Sequence, residues 1–375
     1  MQPISCVPET LVKGMKSFRE LFCGAEGFEH VCRFITGLIL SPNKTLQGIY
    51  EAQVWEGEAP SRRAMHEAVF ESGWDSAALI QHHRTEVAQA YRGRGRQVIS
   101  LDWTLSHHER GPKIYAVTKG YDYVERRTSL FQTVVTAVVS TSEWIDGLEI
   151  GAQDPNDLKA EEAYLRATAQ ASYEQMEEAQ QRLVELLHDY QHRLEYRKRT
   201  EIAVEIVRQL EAEGQFPQAH YAFDKGVLTV ELTRLIESRG KHWVSEVEVS
   251  RHIQWQGRWR RVDEVAAELR HHHPESFRPV KVSCRNGEEK VFFAFTKVVR
   301  LKRYGRKRLV IVHEREELSD APRFLLTDAV HWESGRVIQT WSYRWASEVF
   351  HEFGKQVCGL ESSGARRKRS PATSA

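Results

Sequence analysis

The pattern of apolar and polar positions divides the chain into a helical beginning and a strand-rich remainder. From Thr10 to about Tyr91, apolar residues recur at three- and four-residue steps, as in Phe28–Leu40, which predicts amphipathic helices. The glycine and arginine residues of Arg92–Arg96 predict a flexible, basic joint after these helices. We therefore expect residues 1–92 to form an all-helical N-terminal domain that contacts part of the protein's binding partner.

Strand-like patterns follow this joint. The first three segments are rich in β-branched residues and separated by short polar turns, which predicts an antiparallel meander of Gln97–Asp102, Lys113–Val124 and Ser129–Thr141. The long charged region Asn156–Glu213 predicts one helix or two. The pattern beyond it predicts a strand, a helix and a strand at His220–Asp224, Val227–Ser238 and Lys241–Val249.

The last third of the chain begins with a basic and aromatic block, Ser250–Asp320, that contains strand-like pieces. A strand at Phe324–Asp328 and one helix over Arg336–Gln356 follow, and Trp345, Val349 and Phe353 form a predicted core stripe on that helix. Together the patterns predict a mixed α/β sheet over residues 93–249 and 321–360, interrupted by a β-rich insertion at 250–320. The basic tail, 361–375, is predicted to be disordered.

Composition narrows the class of protein. The chain has 375 residues, of which 41% are hydrophobic, so it can build more than one packed core. No apolar run reaches the roughly 18–20 residues of a membrane span, and the beginning lacks the pattern of a secretory signal. Five cysteines without a C-x-x-C pair are typical of a cytoplasmic protein, which we expect here. Net charge is +1, so any nucleic-acid partner must be inferred from local patches.

Three acidic residues are the candidates for chemistry. Asp102 and Asp224 each follow an apolar strand-like run, and Glu348 lies in the last predicted helix. A single acid after a strand is more often a cap or turn former than a catalytic group. In the helix, Arg344, Glu348 and Lys355 share one face, which an exposed ladder of ion pairs also explains. The chain contains no Gly-rich phosphate-binding loop, so we expect no nucleotide cofactor.

Several stretches resemble the DDE transposases of bacterial insertion sequences. The arrangement of Arg344, three residues, Glu348, six residues and Lys355 is similar to the family's Y-(2)-R-(3)-E-(6)-K signature, with Trp341 at the tyrosine position and Tyr343 next to the arginine. The strand ends at Asp102 and Asp224 resemble those that carry the family's two aspartates. The likeness covers about residues 10–360.

The resemblance implies a ribonuclease-H-like core in which Asp102, Asp224 and Glu348 are the catalytic and metal-ligating residues. Hard carboxylate oxygens suit Mg²⁺ or Mn²⁺, and two such ions about 3.5–4 Å apart support phosphodiester displacement. The implied partner is double-stranded DNA, both element ends and target, bound by a homodimer on paired ends.

The resemblance also implies DNA-contacting groups. Arg344 and Lys355 are expected to neutralise phosphates. In the insertion, basic and aromatic residues suited to contact DNA are Trp255, Trp259, Arg260 and Arg261.

Two other interpretations stay open at this level. The departure at Trp341 and the polar sequence after Gly359–Glu361 also fit a catalytically inactive or truncated relative that only binds DNA. Alternatively, the chain is an unrelated α/β protein whose acids are structural, in which case the three carboxylates lie far apart.

Overall fold

The computed structural model describes residues 3–22, 24–55, 59–108, 114–122, 125–154, 174–185, 197–285 and 287–362. The predicted disordered tail, 361–375, lies outside these residues except for 361 and 362, which belong to a short 3-10 helix at Leu360–Ser362. Half of the charged region Asn156–Glu213 also lies outside them. In the described part of that region, residues 178–185 and Arg199–Glu213 are helical, whereas residues 174–177 and 197–198 are not.

The N-terminal part is helical, as its periodicity predicts. Its helices are α1 (Glu9–Met15), α2 (Gly24–Leu40), α3 (Leu46–Ala52), α4 (Arg62–His66) and α5 (Ser76–Tyr91). Three of them begin at a residue whose side chain accepts a backbone N–H of the first turn, namely Thr45, Ser61 and Asp75. They enclose a small core around Val31, Ile49 and Met65. No helix in the described ranges combines the length and apolar character that crossing a bilayer requires.

The remainder is built on a large mixed sheet, which confirms the predicted α/β class. Its strands are β1 (Val98–His108), β2 (Thr118–Asp122), β3 (Arg127–Ser140), β4 (Ile145–Gln153), β5 (His220–Phe223), β6 (Trp243–Glu246), β7 (His252–Trp255), β8 (Arg258–Arg261), β9 (Arg278–Ser283), β10 (Glu289–Leu301), β11 (Gly305–His313) and β12 (Arg323–Thr327). The order along the sheet is β2-β3-β1-β5-β6-β12-β11-β10-β7-β8, while β4 also pairs with β3 and β9 with β10.

The centre of the sheet is parallel and its flanks are antiparallel. The predicted meander was wrong in its middle strand, because β2 pairs with β3 at the edge of the sheet rather than with β1. Strands β1, β3 and β4 form the antiparallel meander instead, whereas β5 runs parallel to β1 and β6 parallel to β5. Helices α6 (Arg199–Glu213) and α7 (Val230–Ser238) make the connections that parallel strands require. Their apolar faces pack with β1 and β5 in the main core, which includes Leu101, Phe223 and Leu232.

Residues 250–320 extend the same sheet. Strands β10 and β11 continue from β12, and β7 and β8 close the far edge. The sequence prediction of a purely β-rich block missed helix α8 (Val262–His272), which buries Val262, Val265 and Leu269. The basic and aromatic residues around this helix obscured its apolar spacing.

The last helix is broken, where the sequence predicted a single one. Helix α9 spans Ser334–Ser342 and α10 spans Trp345–Gln356. Between them the backbone bonds tighten to the three-residue type, because Arg344 N–H donates to Trp341 C=O at 2.9 Å and Ser347 N–H to Arg344 C=O at 2.9 Å. Arg344 therefore lies at the junction and precedes the first turn of α10.

A buried ion-pair network joins the helical domain to the sheet. Arg84 on α5 is 1% exposed, and its guanidinium donates to Glu149 on β4 at 2.6 Å and to Glu213 at the end of α6 at 2.8 Å. Since both carboxylates are themselves mostly buried, water cannot replace the guanidinium if it is removed.

We predict that Arg84→Met lowers the free energy of unfolding by about 3–5 kcal/mol, because it leaves two buried carboxylates without a counter-charge. Urea denaturation measures this. Arg63→Met is the control, since Arg63 is exposed and pairs only with its helix neighbour Glu67, and little change is expected there. Equal effects of the two substitutions would contradict a structural role for the network.

Candidate active site

Two of the three predicted acids lie side by side where the parallel pairing of β1 with β5 ends. Asp224 directly follows β5, but the prediction that a strand ends at Asp102 was wrong, because β1 continues to His108 through its pairing with β3. Leu101 on β1 pairs with Phe223 on β5, so the next residues, Asp102 and Asp224, are neighbours in register. A Cβ at Gly226 would lie 2.8 Å from Trp103 Nε1, so glycine lets the turn after Asp224 approach β1 closely. The carboxyl ends of parallel strands are where α/β sheets commonly place functional side chains.

Helix α10 brings the third acid, Glu348, over this edge. The helix packs on β1, β3 and β4. Its buried residues are small or polar: Ala346 and Ser347 are fully buried, and His351 Nε2 lies 2.7 Å from Thr136 Oγ1. Thr136 is the cross-strand partner of Asp102, so this contact fixes the helix directly beside the first aspartate.

The pKa of His351 is lowered to about 4, chiefly by burial and to a smaller extent by the charges of Lys355 and Arg344. The imidazole is therefore neutral at pH 7, and it can serve as a packed hydrogen-bonding group against the sheet. Its role is positional, since it holds α10 in place one turn beyond Glu348.

Arg344 connects the acids. One Nη of its guanidinium donates to Asp102 Oδ2 at 3.1 Å, and the other donates to Glu348 Oε1. Asp102 Oδ1 also accepts the Trp103 N–H at 2.8 Å. The guanidinium thus occupies the space between Asp102 and Glu348, and the three predicted acids do not form a group whose oxygens all lie within 4.8 Å.

The charges of the three acids act on one another. Burial is the largest cause that raises the pKa of Asp102 to about 6; Arg344 opposes the shift, and the carboxylates of Asp224 and Glu348 add to it. The pKa of Arg344 is raised. Burial opposes this shift, but the negative charges of Asp102, Glu348 and Asp224 favour the charged guanidinium and outweigh burial. Segments more than 100 residues apart in the sequence therefore form one electrostatic site.

Trp341 stands at the tyrosine position of the resembled signature, but Tyr343, two residues further on, is buried. It packs with Val98 on β1 and Ala222 on β5. Trp341 lies under two cations, with the guanidinium of Arg323 at 5.0 Å and that of Arg344 at 5.6 Å from its ring centre. Trp341 thus belongs to the surroundings of Arg344.

A cavity of about 600 Å³ adjoins these residues. Its apolar lining includes Phe292, Leu325 and Trp341. Charged groups of both signs also line it. The cations are Arg285, Lys290, Arg323 and Arg344, and the last three pair with the lining acids Glu288, Glu314 and Glu348. The site is therefore bordered by a recess that combines aromatic surface with ion pairs.

The predicted core stripe of the last helix was wrong. Trp345, Val349 and Phe353 are 59%, 36% and 50% exposed. The helix buries Ala346, Ser347 and His351, and Phe350 lies against Gly147 on β4, so the three residues of the predicted stripe face outward. Trp345 and Val349 reach the rim of the cavity.

The other residues that the sequence predicts to contact DNA differ in exposure and in their partners. Lys355 does not join the acids but pairs with Glu361 at 3.5 Å. Trp255 is 5% exposed and packs in the core, with Lys297 over its ring, so the expectation that it contacts DNA is corrected. Trp259 is 42% exposed, whereas Arg260 and Arg261 pair with Glu268 and Asp263.

Sequence reasoning missed two acidic groups. Glu246, the last residue of β6, follows Ser245, which pairs with Phe223, so it lies in register beside Asp224. The apolar residues before Glu246 indicate a strand, but the predicted strand runs on to Val249 and places Glu246 in its interior. Farther along β1, ligand atoms of His107, Asp122 and Glu125 lie within 4.8 Å of one another.

Comparison with family models and with curated proteins finds no match for this chain. The chemistry of the site is therefore argued from its own residues.

The raised pKa of Asp102 makes stability depend on pH. Because the folded protein holds this proton more tightly than the unfolded chain, whose reference value is 3.8, the carboxyl favours folding below about pH 4 and loses that contribution as pH rises through 6. We predict that Asp102→Asn stabilises the metal-free protein at pH 8 by on the order of 2–3 kcal/mol, and much less at pH 4.

Thermal or urea unfolding in EDTA at both pH values measures this difference. Asp263→Asn is the control, because a hydrogen bond from Arg261 lowers the pKa of Asp263 and no stabilisation is expected. Destabilisation by Asp102→Asn at pH 8 would mean that the attraction of Arg344 outweighs burial.

Proposed function

We propose that the chain is a metal-dependent DNA transposase with a ribonuclease-H-like core, which hydrolyses phosphodiester bonds at element ends and transfers the freed strand. The observation that carries this proposal is the meeting of Asp102, Asp224 and Glu348 from three remote segments, with Arg344 between them. The order of a meander, a helix, a parallel strand, a helix and a second parallel strand also supports it.

The donor set fits hard divalent ions. All three side chains offer carboxylate oxygens. Burial chiefly raises the pKa of Asp102, and the charges of Asp224 and Glu348 add to the shift against the opposing charge of Arg344. Asp102, Asp224 and Glu348 would hold Mg²⁺ or Mn²⁺, which supplies Lewis-acid activation of the attacking oxygen and stabilises the leaving one.

The reaction has two stages. In the first, a water oxygen forms a bond to phosphorus, the bond from phosphorus to the 3′-oxygen breaks, and the products are a 3′-hydroxyl and a 5′-phosphate. In the second, that 3′-hydroxyl attacks a phosphodiester of target DNA and displaces another 3′-oxygen. No redox partner or nucleotide is needed, because the first stage consumes water and the second exchanges one phosphodiester for another.

The chain's own residues position the DNA in this scheme. Arg344, once released from the carboxylates, presents parallel N–H donors suited to a phosphate. The cationic side chains of the cavity extend this surface, and exposed Trp259 lies near Lys302, whose ammonium is 5.4 Å from its ring centre. Phosphate neutralisation of this kind gives binding that weakens with salt.

Three substitutions test the acids, namely Asp102→Asn, Asp224→Asn and Glu348→Gln. Each should reduce Mn²⁺-dependent nicking of supercoiled plasmid DNA by about 100-fold or more, because each removes part of a transition-state stabilisation worth several kcal/mol. Glu352→Gln is the matched control, since Glu352 is an exposed acid on the same helix that bonds only Gln356.

Full activity in any one of the three variants removes that residue from the set. If the unmodified protein binds DNA but does not nick it, the inactive DNA-binding alternative replaces the proposal.

Arg344 generates a separate prediction. Because its guanidinium holds Asp102 and Glu348 in the absence of metal, it competes with cations for both. We predict that Arg344→Gln tightens Mn²⁺ binding by about tenfold or more while it lowers nicking, since a unit charge at about 4 Å is worth several kcal/mol at intermediate dielectric. Titration calorimetry measures the affinity. Lys355→Gln is the control, because Lys355 pairs with Glu361 instead.

A further inference from the structure

Arginines from three separate segments meet around α9, beside the start of β1. Arg96 lies two residues before β1, Arg285 lies in the turn between β9 and β10, and Arg336 is on α9 itself. The guanidinium of Arg96 donates to the side-chain oxygen of Gln339 on α9. Gln339 Nε2 in turn donates to Ser283 C=O, at the end of β9, at 2.8 Å. These hydrogen bonds hold the three segments together.

Arg96 and Arg285 are partly buried without an acid to balance their charge. Neither forms an ion pair within the ranges that the structure describes. Arg285 Nε is shielded from solvent and has no hydrogen-bond partner there. Burial is the largest cause that lowers the pKa of each guanidinium. An arginine removed from water normally pairs with an acid, because its charge is otherwise poorly stabilised.

A buried hydroxyl group lies beside these two arginines. Tyr343, the residue after α9, is 5% exposed, and its hydroxyl makes no hydrogen bond to any described residue. Burial raises the pKa of Tyr343, and the charges of Arg96 and Arg285 oppose the shift, so both guanidinium groups act on this hydroxyl. Since buried tyrosine hydroxyls normally have a hydrogen-bond partner, Tyr343 offers a further donor for a ligand.

The surrounding charges are mainly positive. Burial chiefly lowers the pKa of His220 on β5 to about 4, and Arg336 and Arg96 are among the cations that add to this shift. Asp146 on β4 is an acid on this side of the sheet, but it accepts the hydroxyl of Tyr91 at 2.9 Å and forms no ion pair with a described arginine. The arginines therefore keep a positive potential that a bound anion can neutralise.

The cavity beside the acids gives a ligand access to this place. Arg285 is part of the cavity lining, and so is Ser342, the residue before Tyr343. The other cations of the lining are paired with acids, whereas Arg285 has no such partner among the described residues. An anion that enters the cavity therefore meets a guanidinium that is available for binding.

We propose that Arg96, Arg285 and Tyr343 form a binding site for a phosphate group. Two guanidinium groups and one hydroxyl supply the donors that a tetrahedral oxyanion accepts, and the anion supplies the missing negative charge. Phosphate fits better than a carboxylate, because its oxygens accept from several directions at once. The phosphate belongs either to a nucleic-acid strand or to a free phosphate compound. The site uses none of the three candidate metal-binding acids, so it is independent of the proposed cleavage reaction.

Inorganic phosphate is the probe, and its affinity is taken from the rise in unfolding temperature with phosphate concentration, in EDTA and at constant ionic strength. Arg96→Gln and Arg285→Gln should each weaken binding about tenfold or more, because each removes a charge-assisted hydrogen bond. Tyr343→Phe keeps the ring and should weaken binding about threefold or more, since only the hydroxyl is lost. Arg234→Gln is the matched control, because Arg234 is an exposed arginine on α7.

A second measurement identifies the source of the phosphate. Binding of a fluorescent DNA duplex in EDTA is followed by anisotropy for the same variants. If they weaken duplex binding as well as phosphate binding, the site holds a phosphate of the DNA strand; if they weaken phosphate binding alone, it holds a free phosphate compound.

The proposal is overturned if phosphate at tens of millimolar stabilises the unmodified protein no more than sodium chloride of equal ionic strength. It is also overturned if the three variants and Arg234→Gln respond to phosphate as the unmodified protein does. Each affinity comes from a concentration dependence, so a change in the intrinsic stability of a variant does not enter it. Both measurements exclude metal ions, so neither result alters the proposed function.

Discussion

The crowding of carboxylates at one edge of the sheet is the constraint on which the site depends. Burial already disfavours a charged Asp102, and Asp224 and Glu348 add repulsion. The guanidinium of Arg344 compensates two of these acids at once, and it can do so only from the junction between α9 and α10. A compact set of acids of this kind persists in a fold when a cation, resident or bound, balances it.

The surrounding fold fixes this arrangement from several directions. Parallel pairing of β1, β5 and β6 aligns the strand ends, and the turn at Gly226 leaves space for Trp103. The contact of His351 with Thr136 places α10 next to Asp102, while Tyr343 packs with Val98 on β1 and Ala222 on β5. The position of Glu348 therefore follows from packing that is independent of its own charge.

The helix that carries Glu348 also forms part of an open surface. Its small residues are buried, whereas Trp345 and Val349 reach the rim of the adjoining cavity. Apolar and cationic side chains consequently meet beside the acids.

Local pattern by itself determined much of the chain. The helical beginning followed from apolar periodicity such as that of Phe28–Leu40. The strand-rich part followed from β-branched runs before Asp102 and Asp224, and the Arg344–Glu348 spacing completed the set of acids to test. Apolar spacing could not identify the buried face of α10, because the residues buried there include the small side chains Ala346 and Ser347 rather than the bulky apolar ones. Nor could it find Glu246 or exclude Trp255, because strand register and burial arise only when distant segments pair.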